Sequence, residues 1–193
     1  METALARNSP SENVQFVSSS KFKFEHLRFV FENSNSHQEL SHLALDPPEI
    51  QSLNPEEIVR AKLEEAARHS QGTLLVEDTC LSLARLNGLP GPYVRSFFEA
   101  MGPEGIYKLS LFHGSKAEAC TTVGLRRPNG KITIASAGLA GDIVAPKGEG
   151  HGWTPIFRPN GAVQTLAEMD DESRIFVSPR TAALKSLLKN ISK

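Results

Sequence analysis

Two neighbouring carboxylates, Glu77 and Asp78, interrupt the apolar run LLVEDTCLSL at residues 74–83. A buried strand offers no solvation for charge, so acids there need either partners or a task. Successive strand residues face opposite sides, so the two acids share one site only where the strand ends. At such an end Asp78 either caps the Thr79-Cys80 turn or holds a hydrated Mg2+ or an attacking water.

Three further stretches carry residue types suited to an anionic ligand. Ser18-Ser19-Ser20-Lys21-Phe22-Lys23 is a hydroxyl-rich turn running into a helix. A helix N-terminus presents free N–H groups and a positive dipole end to phosphate, and Lys23 in the first turn can cover the same anion. No glycine fingerprint accompanies it, so a solvated serine turn with surface lysines is the alternative. In Asp46-Pro47-Pro48-Glu49 the prolines hold the chain extended and fix Glu49, as a hard-metal ligand or as a surface acid. The segments GHGWTPIF and SPRTAAL place Trp153 after a glycine-rich loop and Arg180 in the first turn of the last helix. Trp153 can stack on a planar ligand or fill the core. Arg180 can read a phosphate or carbonyl with its rigid fork or pair at the surface.

The elements that must position these groups follow from periodicity and caps. Residues 1–12 read as a loose tail, and 13–193 as a single domain. VQFV (14–17) reads as a strand, and Phe24, Leu27 and Phe31 predict a helix from about Lys21 to Glu32. Residues 34–42 read as a loop or weak segment. Asn54 as cap, Pro55 at the first position and acidic Glu56 and Glu57 open a second helix, with Val59, Leu63 and Ala66 inward and Gly72 as its end. TLLVED follows as a buried strand. Two short helices meet at Gly102-Pro103. A hairpin turns at Pro128-Asn129-Gly130, with Thr121, Val123 and Leu125 alternating before the turn and Ile132 and Ile134 after it. A glycine-rich loop continues through Gly152. A last helix begins near Ser178, with Ala183 or Leu184, Leu187, Leu188 and Ile191 as its stripe. This order implies an α/β or α+β domain with a mixed sheet.

The net charge of −1 supplies no global basic field for a nucleic-acid partner, so an anion must be held by local cations. Cys80 and Cys120 fit no metal-ligand spacing and read as buried thiols of a reducing compartment. No apolar run is long enough to span a bilayer, and residues 1–12 lack the order of a signal peptide. The expectation is a cytoplasmic protein with neither membrane nor nucleic-acid partners.

Taken together, the segments resemble the inosine triphosphate pyrophosphatase family. The acidic strand followed by GLPGPY, the G-IV-PKG element from Gly141 to Gly148, GW-PIF from Gly152 to Phe157 and TLAEM from Thr165 to Met169 carry the resemblance, over roughly residues 14–190. It implies an elongated α/β fold, a long mixed β-sheet flanked by helices, with two lobes and a central nucleotide cleft. It also implies a homodimer that hydrolyses the α–β phosphate bond of a nucleoside triphosphate with Mg2+, releasing the monophosphate and pyrophosphate. The substrates implied are 6-keto purine nucleotides such as ITP, dITP and XTP. By position, Lys23 and Lys62 match phosphate-binding lysines, Glu49 a metal-associated glutamate, and Asp78 the aspartate that binds metal and activates water, with Glu77 beside it. Ser18 and Ser20 match the first phosphate turn, Trp153 the base pocket, and Ser178 and Arg180 the outer members of a Ser-His-Arg motif.

The departures cluster at the base-reading end. Ser20 stands where the family has asparagine, His151 where it has another aromatic, and Thr154 where it has aspartate. Arg174 replaces a lysine and Pro179 the histidine of Ser-His-Arg. Loss of polar base contacts changes discrimination strongly, so the expectation is shifted or relaxed base specificity. The alternatives are a specialised hydrolase of a modified or biosynthetic nucleotide, or a nucleotide-binding protein with weak catalysis.

Overall fold

A computed structural model describes residues 13–34 and 38–191; the tail expected over residues 1–12 lies outside the described residues. Strand β1 (Asn13–Val17) leads through helix α1 (Lys21–Glu32) to β2 (Glu39–Leu43), and helix α2 (Pro55–Ala66) leads on to the long β3 (Thr73–Leu83). A 3-10 turn (Ala84–Leu86), a two-residue β4 (Pro90–Gly91) and α3 (Val94–His113) follow. The chain closes with the hairpin β5 (Lys116–Arg126) and β6 (Ile132–Ile143), then β7 (Phe157–Pro159), α4 (Asp171–Val177) and α5 (Pro179–Ile191).

These strands form one mixed, seven-stranded sheet in the order β2-β1-β3-β5-β6-β7, with β4 on β3. β1 is parallel to both β2 and β3, while β5, β6 and β7 continue antiparallel. The order reverses at β1: the connection through α1 goes to one side and that through α2 returns to the other. Open sheets bind ligands outside the carboxyl ends of strands at such a switch point, here the ends of β1 and the middle of β3.

Three apolar clusters frame that point. α1 and α5 cover one face, with Phe16, Leu27, Leu75, Val123 and Leu184 at its centre. α2 covers the other through Val59 and Leu63 against Leu74 and Val76. Gly124 permits this approach, since a Cβ there would meet Val59 Cγ1 at 2.3 Å. The third cluster joins Leu81, Leu83, Ile106, Ile156 and Phe157 at the far end of the long strands, forming the second lobe.

Local chemistry explains most boundaries. Ser20 caps α1 and Asn54 caps α2, each accepting a backbone N–H in the first turn. The break between the two halves of α3 falls at Gly102, with φ of 64°. Four sequence expectations need correction. Residues 39–43 form a strand instead of a loop; it is a half-buried edge strand, so Ser41 and His42 are tolerated and no apolar alternation is required. α2 stops at Ala66 and turns before Gly72 is reached. β3 does not end at Asp78, because β5 pairs with it along its length from Leu74 to Leu83. Cys120, opposite Cys80 in that ladder, is only half-buried.

Candidate active site

Because β3 runs on, Glu77 and Asp78 do face opposite sides of the sheet. Glu77 follows Leu75 towards α1 and α5, and Asp78 follows Val76 towards α2. They nevertheless border one groove. β1 pairs with β3 only as far as Leu75, and β4 begins at Leu81. Among the described residues, no strand covers that edge of residues 76–80, and the serine turn after β1 lines the groove there with Glu77, Asp78 and Thr79.

On the first face, Glu77 is fully engaged. Arg180 approaches it bidentately, Nε to Oε2 at 2.6 Å and Nη2 to Oε1 at 3.0 Å, and Lys23 Nζ lies 3.1 Å from Oε1. Burial alone would raise this carboxyl, but Arg180 and Lys23 hold it down at about 2. Lys23 is placed by the α1 cap: its N–H donates to Ser20 Oγ, and the Ser20 N–H donates to Ser18 Oγ at 3.1 Å. Arg180 is placed by Ser178, which accepts the Arg180 N–H at 3.2 Å, with Pro179 at the first position of α5.

On the second face, Lys62 reaches through the sheet edge from α2. Its Nζ contacts Glu77 O at 3.2 Å, Asp78 Oδ1 at 3.1 Å and Glu49 Oε1 at 2.6 Å, which occupies all three ammonium donors. Burial opposes this charge, but Asp78 and Glu49 outweigh it and raise the Lys62 pKa. Burial likewise opposes ionisation of Glu49, and Lys62 overcomes it, so that carboxyl sits below its ordinary value. Asp78 differs. Its Oδ2 is buried and has no hydrogen-bond partner among the described residues. Burial therefore prevails over Lys62, and the Asp78 carboxyl lies above the usual aspartate value.

Two cavities of about 380 Å³ each meet at Ser20, Lys23, Thr79, Gly152 and Trp153. One is lined by Lys23, Lys62, Glu49, Glu77 and Asp78, together with Ser18, Asp46, Arg95 and Glu99. The other is lined by Phe22, His26, His151, Thr154, Arg174, Ser178 and Arg180, and among the described residues no carboxylate stands on its wall. Trp153 packs on Phe98 from α3, ring centroids 6.3 Å apart, and so forms both wall and core. His151 leans on Phe22 with centroids 5.3 Å apart. The Thr154 hydroxyl donates to His151 O at 2.9 Å, and Arg174 pairs with Asp171 on α4.

The residues singled out in the sequence thus all border one composite groove. Sequence reasoning missed Phe22, Thr79, His26 and Arg95. His26 had a signal: it lies three residues after Lys23 on one helix face, a polar residue next to the inward Leu27. α4 was also missed, although Asp170 caps it and Asp171 and Glu172 mark its first turn.

Among the described residues, no three His, Cys, Asp or Glu side chains group as a self-contained metal site. Glu49 and Asp78 form a two-carboxylate set, with one buried oxygen still unpartnered. Such a set suits Mg2+, which is commonly bound by one or two carboxylates and completed by substrate phosphates and water.

The chain belongs to the Ham1 family, whose profile matches residues 14–190. It is 38% identical over 179 residues to the inosine triphosphate pyrophosphatase of Schizosaccharomyces pombe, covering 91% of this chain and 93% of that protein. The HAM1 protein of Coxiella burnetii superposes with a TM-score of 0.79 at 20% identity, covering 94% of this chain and 98% of that one. The Staphylococcus aureus Ham1 protein gives 0.73 at 23% identity, with 92% and 98% covered. The expected α/β fold, a mixed sheet flanked by helices, is the one these proteins share. No helix of the described residues is long and apolar enough to cross a membrane.

Proposed function

We propose that the protein is a nucleoside triphosphate pyrophosphatase: water attacks the α-phosphorus, the α–β bridging P–O bond breaks, and a nucleoside monophosphate and pyrophosphate are released. The observation that carries this reading is the pairing of a groove that holds lysines beside a cluster of carboxylates with an aromatic-walled, Arg180-bearing cavity that opens directly from it. A triphosphate has about four negative charges near neutral pH, and a site for it must neutralise them where they change during reaction. Lys23, Arg180 and the capped start of α1 supply fixed positive charge, while Glu77 aligns the two cations. Asp78 is the candidate general base. Its Oδ2, without a hydrogen-bond partner among the described residues, is the atom left to accept a proton from the attacking water.

Glu49 and Asp78 would hold Mg2+, which would neutralise phosphate charge when bound. Trp153, His151 and Phe22 would flank the base, and Ser178 and Arg174 offer donors to its edge. Because the described residues of that wall include no carboxylate and Thr154 is committed to His151 O, it favours bases presenting carbonyl acceptors. It does not demand an amino donor. Aberrant 6-keto purine nucleotides (ITP, dITP, XTP) are the proposed substrates, with base specificity relaxed or shifted. Residues 13–193 would act as one domain, as a cytoplasmic homodimer with neither membrane nor nucleic-acid partners.

A panel of purine and pyrimidine triphosphates, incubated with Mg2+ and analysed for monophosphate and pyrophosphate, tests the proposal. The expected outcome is pyrophosphate release, fastest from 6-keto purines. Release of orthophosphate alone, or no release from any nucleotide, would refute it.

A further inference from the structure

We propose that His26 is a positioning residue for this reaction: its imidazole fixes the Arg180 guanidinium against Glu77, at the junction of the phosphate groove and the base cavity. The inference rests on the pyrophosphatase reading and adds to it a residue that no sequence motif marks.

The geometry assigns the tautomer. Thr181 Oγ1 donates to Ile175 O at 2.6 Å, so at 2.9 Å from His26 Nε2 it accepts from an Nε2–H. Nδ1 then carries the lone pair and accepts from Arg180 Nη1 at 3.3 Å. Arg180 has five N–H donors. Three are used on Glu77 and His26, which leaves two for a ligand from a guanidinium that cannot turn.

The residue type matters. The third contact of Arg180 must come from an acceptor, which excludes lysine and arginine. A carboxylate there would compete with Glu77 for the guanidinium and cancel charge needed for phosphate. A neutral imidazole accepts without charge. The charged groups acting on it are Arg180, Glu77 and Arg174; burial and Arg180 hold its pKa down at about 3, so it stays neutral through the working range.

A buried histidine can also merely staple α1 to α5 through Thr181, and two isosteric substitutions separate these roles. In His26→Asn the amide oxygen takes the place of Nδ1 and keeps the acceptor for Arg180. In His26→Gln the amide reaches the place of Nε2 and keeps the link to Thr181. Pyrophosphate release from ITP, kcat and KM, and the melting temperature should be measured for both, for His26→Leu and for Arg180→Lys with and without His26→Leu. Misplacement of a substrate-positioning group costs up to about 10²-fold. We therefore expect His26→Leu and His26→Gln to lower kcat/KM by about ten- to a hundredfold and His26→Asn to restore most of it. His26→Leu should add nothing in the Arg180→Lys background.

If His26→Gln equals or exceeds His26→Asn in kcat/KM, the histidine is a staple and the proposal fails. It fails too if His26→Leu matches the wild type or if the two losses are additive. If His26→Leu does not fold, the Asn and Gln pair still decides. A wild-type protein that releases no pyrophosphate would remove the underlying reading and this inference with it, an outcome distinct from active wild type with indifferent variants.

Discussion

Glu77 and Asp78 are adjacent, equally deep and oppositely treated. Glu77 is 4% exposed and Asp78 6%, yet one carboxyl is driven down to about 2 and the other is raised. Burial is common to both, so it does not separate them. Partners do: Glu77 has two cations across both oxygens, whereas Asp78 shares one lysine with Glu49 and its Oδ2 has no partner among the described residues. Two carboxylates pushed apart in this way mark different roles. Glu77 is an anchor that organises Arg180 and Lys23, and Asp78 is the group with unspent capacity for metal and water.

The largest test of that contrast is Asp78→Asn. It should lower kcat by about 10²- to 10⁴-fold, the usual contribution of a general base, while calorimetry still registers nucleotide binding. Unchanged turnover would end the role given to Asp78. Glu77→Gln should act chiefly on stability. It leaves the largely buried Arg180 and the half-buried Lys23 without their counter-charge, and breaking a buried pair such as Arg180–Glu77 costs roughly 3–5 kcal/mol, readable by denaturant unfolding. If Asp78→Asn proves the more destabilising of the two, the contrast is broken. Glu49→Gln should come next, raising the Mg2+ concentration for half-maximal rate about tenfold with little change in saturated kcat, as loss of a metal-site carboxylate does.

How much of this was legible beforehand follows the range of each interaction. The caps of α1 and α2 are local, and Ser20, Asn54 and Pro55 announce them in the sequence. Which face each acid takes was not local. It required knowing that β5 would extend β3 beyond Asp78, a pairing made by residues some forty positions later. The Arg180–Glu77 clamp spans 103 residues and the Arg180–His26 contact 154, and no periodicity encodes such partners. β2 was missed because an edge strand can be polar on both faces, and α4 because seven residues give periodicity too little length.

The mildest test is pH, on metal-free protein. Glu77 has an ordinary value of 4.5 and a folded value of about 2. Between these, the unfolded chain binds the proton and the folded one does not, so stability falls as pH falls. The Glu77 contribution is fully present above 4.5 and is lost towards 2, by at most about 1.4 kcal/mol per pH unit. His26 titrates with the same sign, from 6.5 towards about 3; Glu77 raises its value, so Glu77→Gln only lowers it further and His26 stays neutral in both folded proteins above about 3. Between 4.5 and about 3 the difference between those two proteins therefore isolates Glu77, and it should shrink on acidification. Asp78 carries the opposite sign: its folded value is raised, so the folded chain takes up the proton first and its penalty is relieved as pH falls through that value. Wild type should accordingly gain on Asp78→Asn as pH falls to the ordinary aspartate value of 3.8 and gain no more below it, while its advantage over Glu77→Gln goes on shrinking from 4.5 towards 2. Parallel drifts in unfolding free energy would mean that the two acids are not electrostatic opposites.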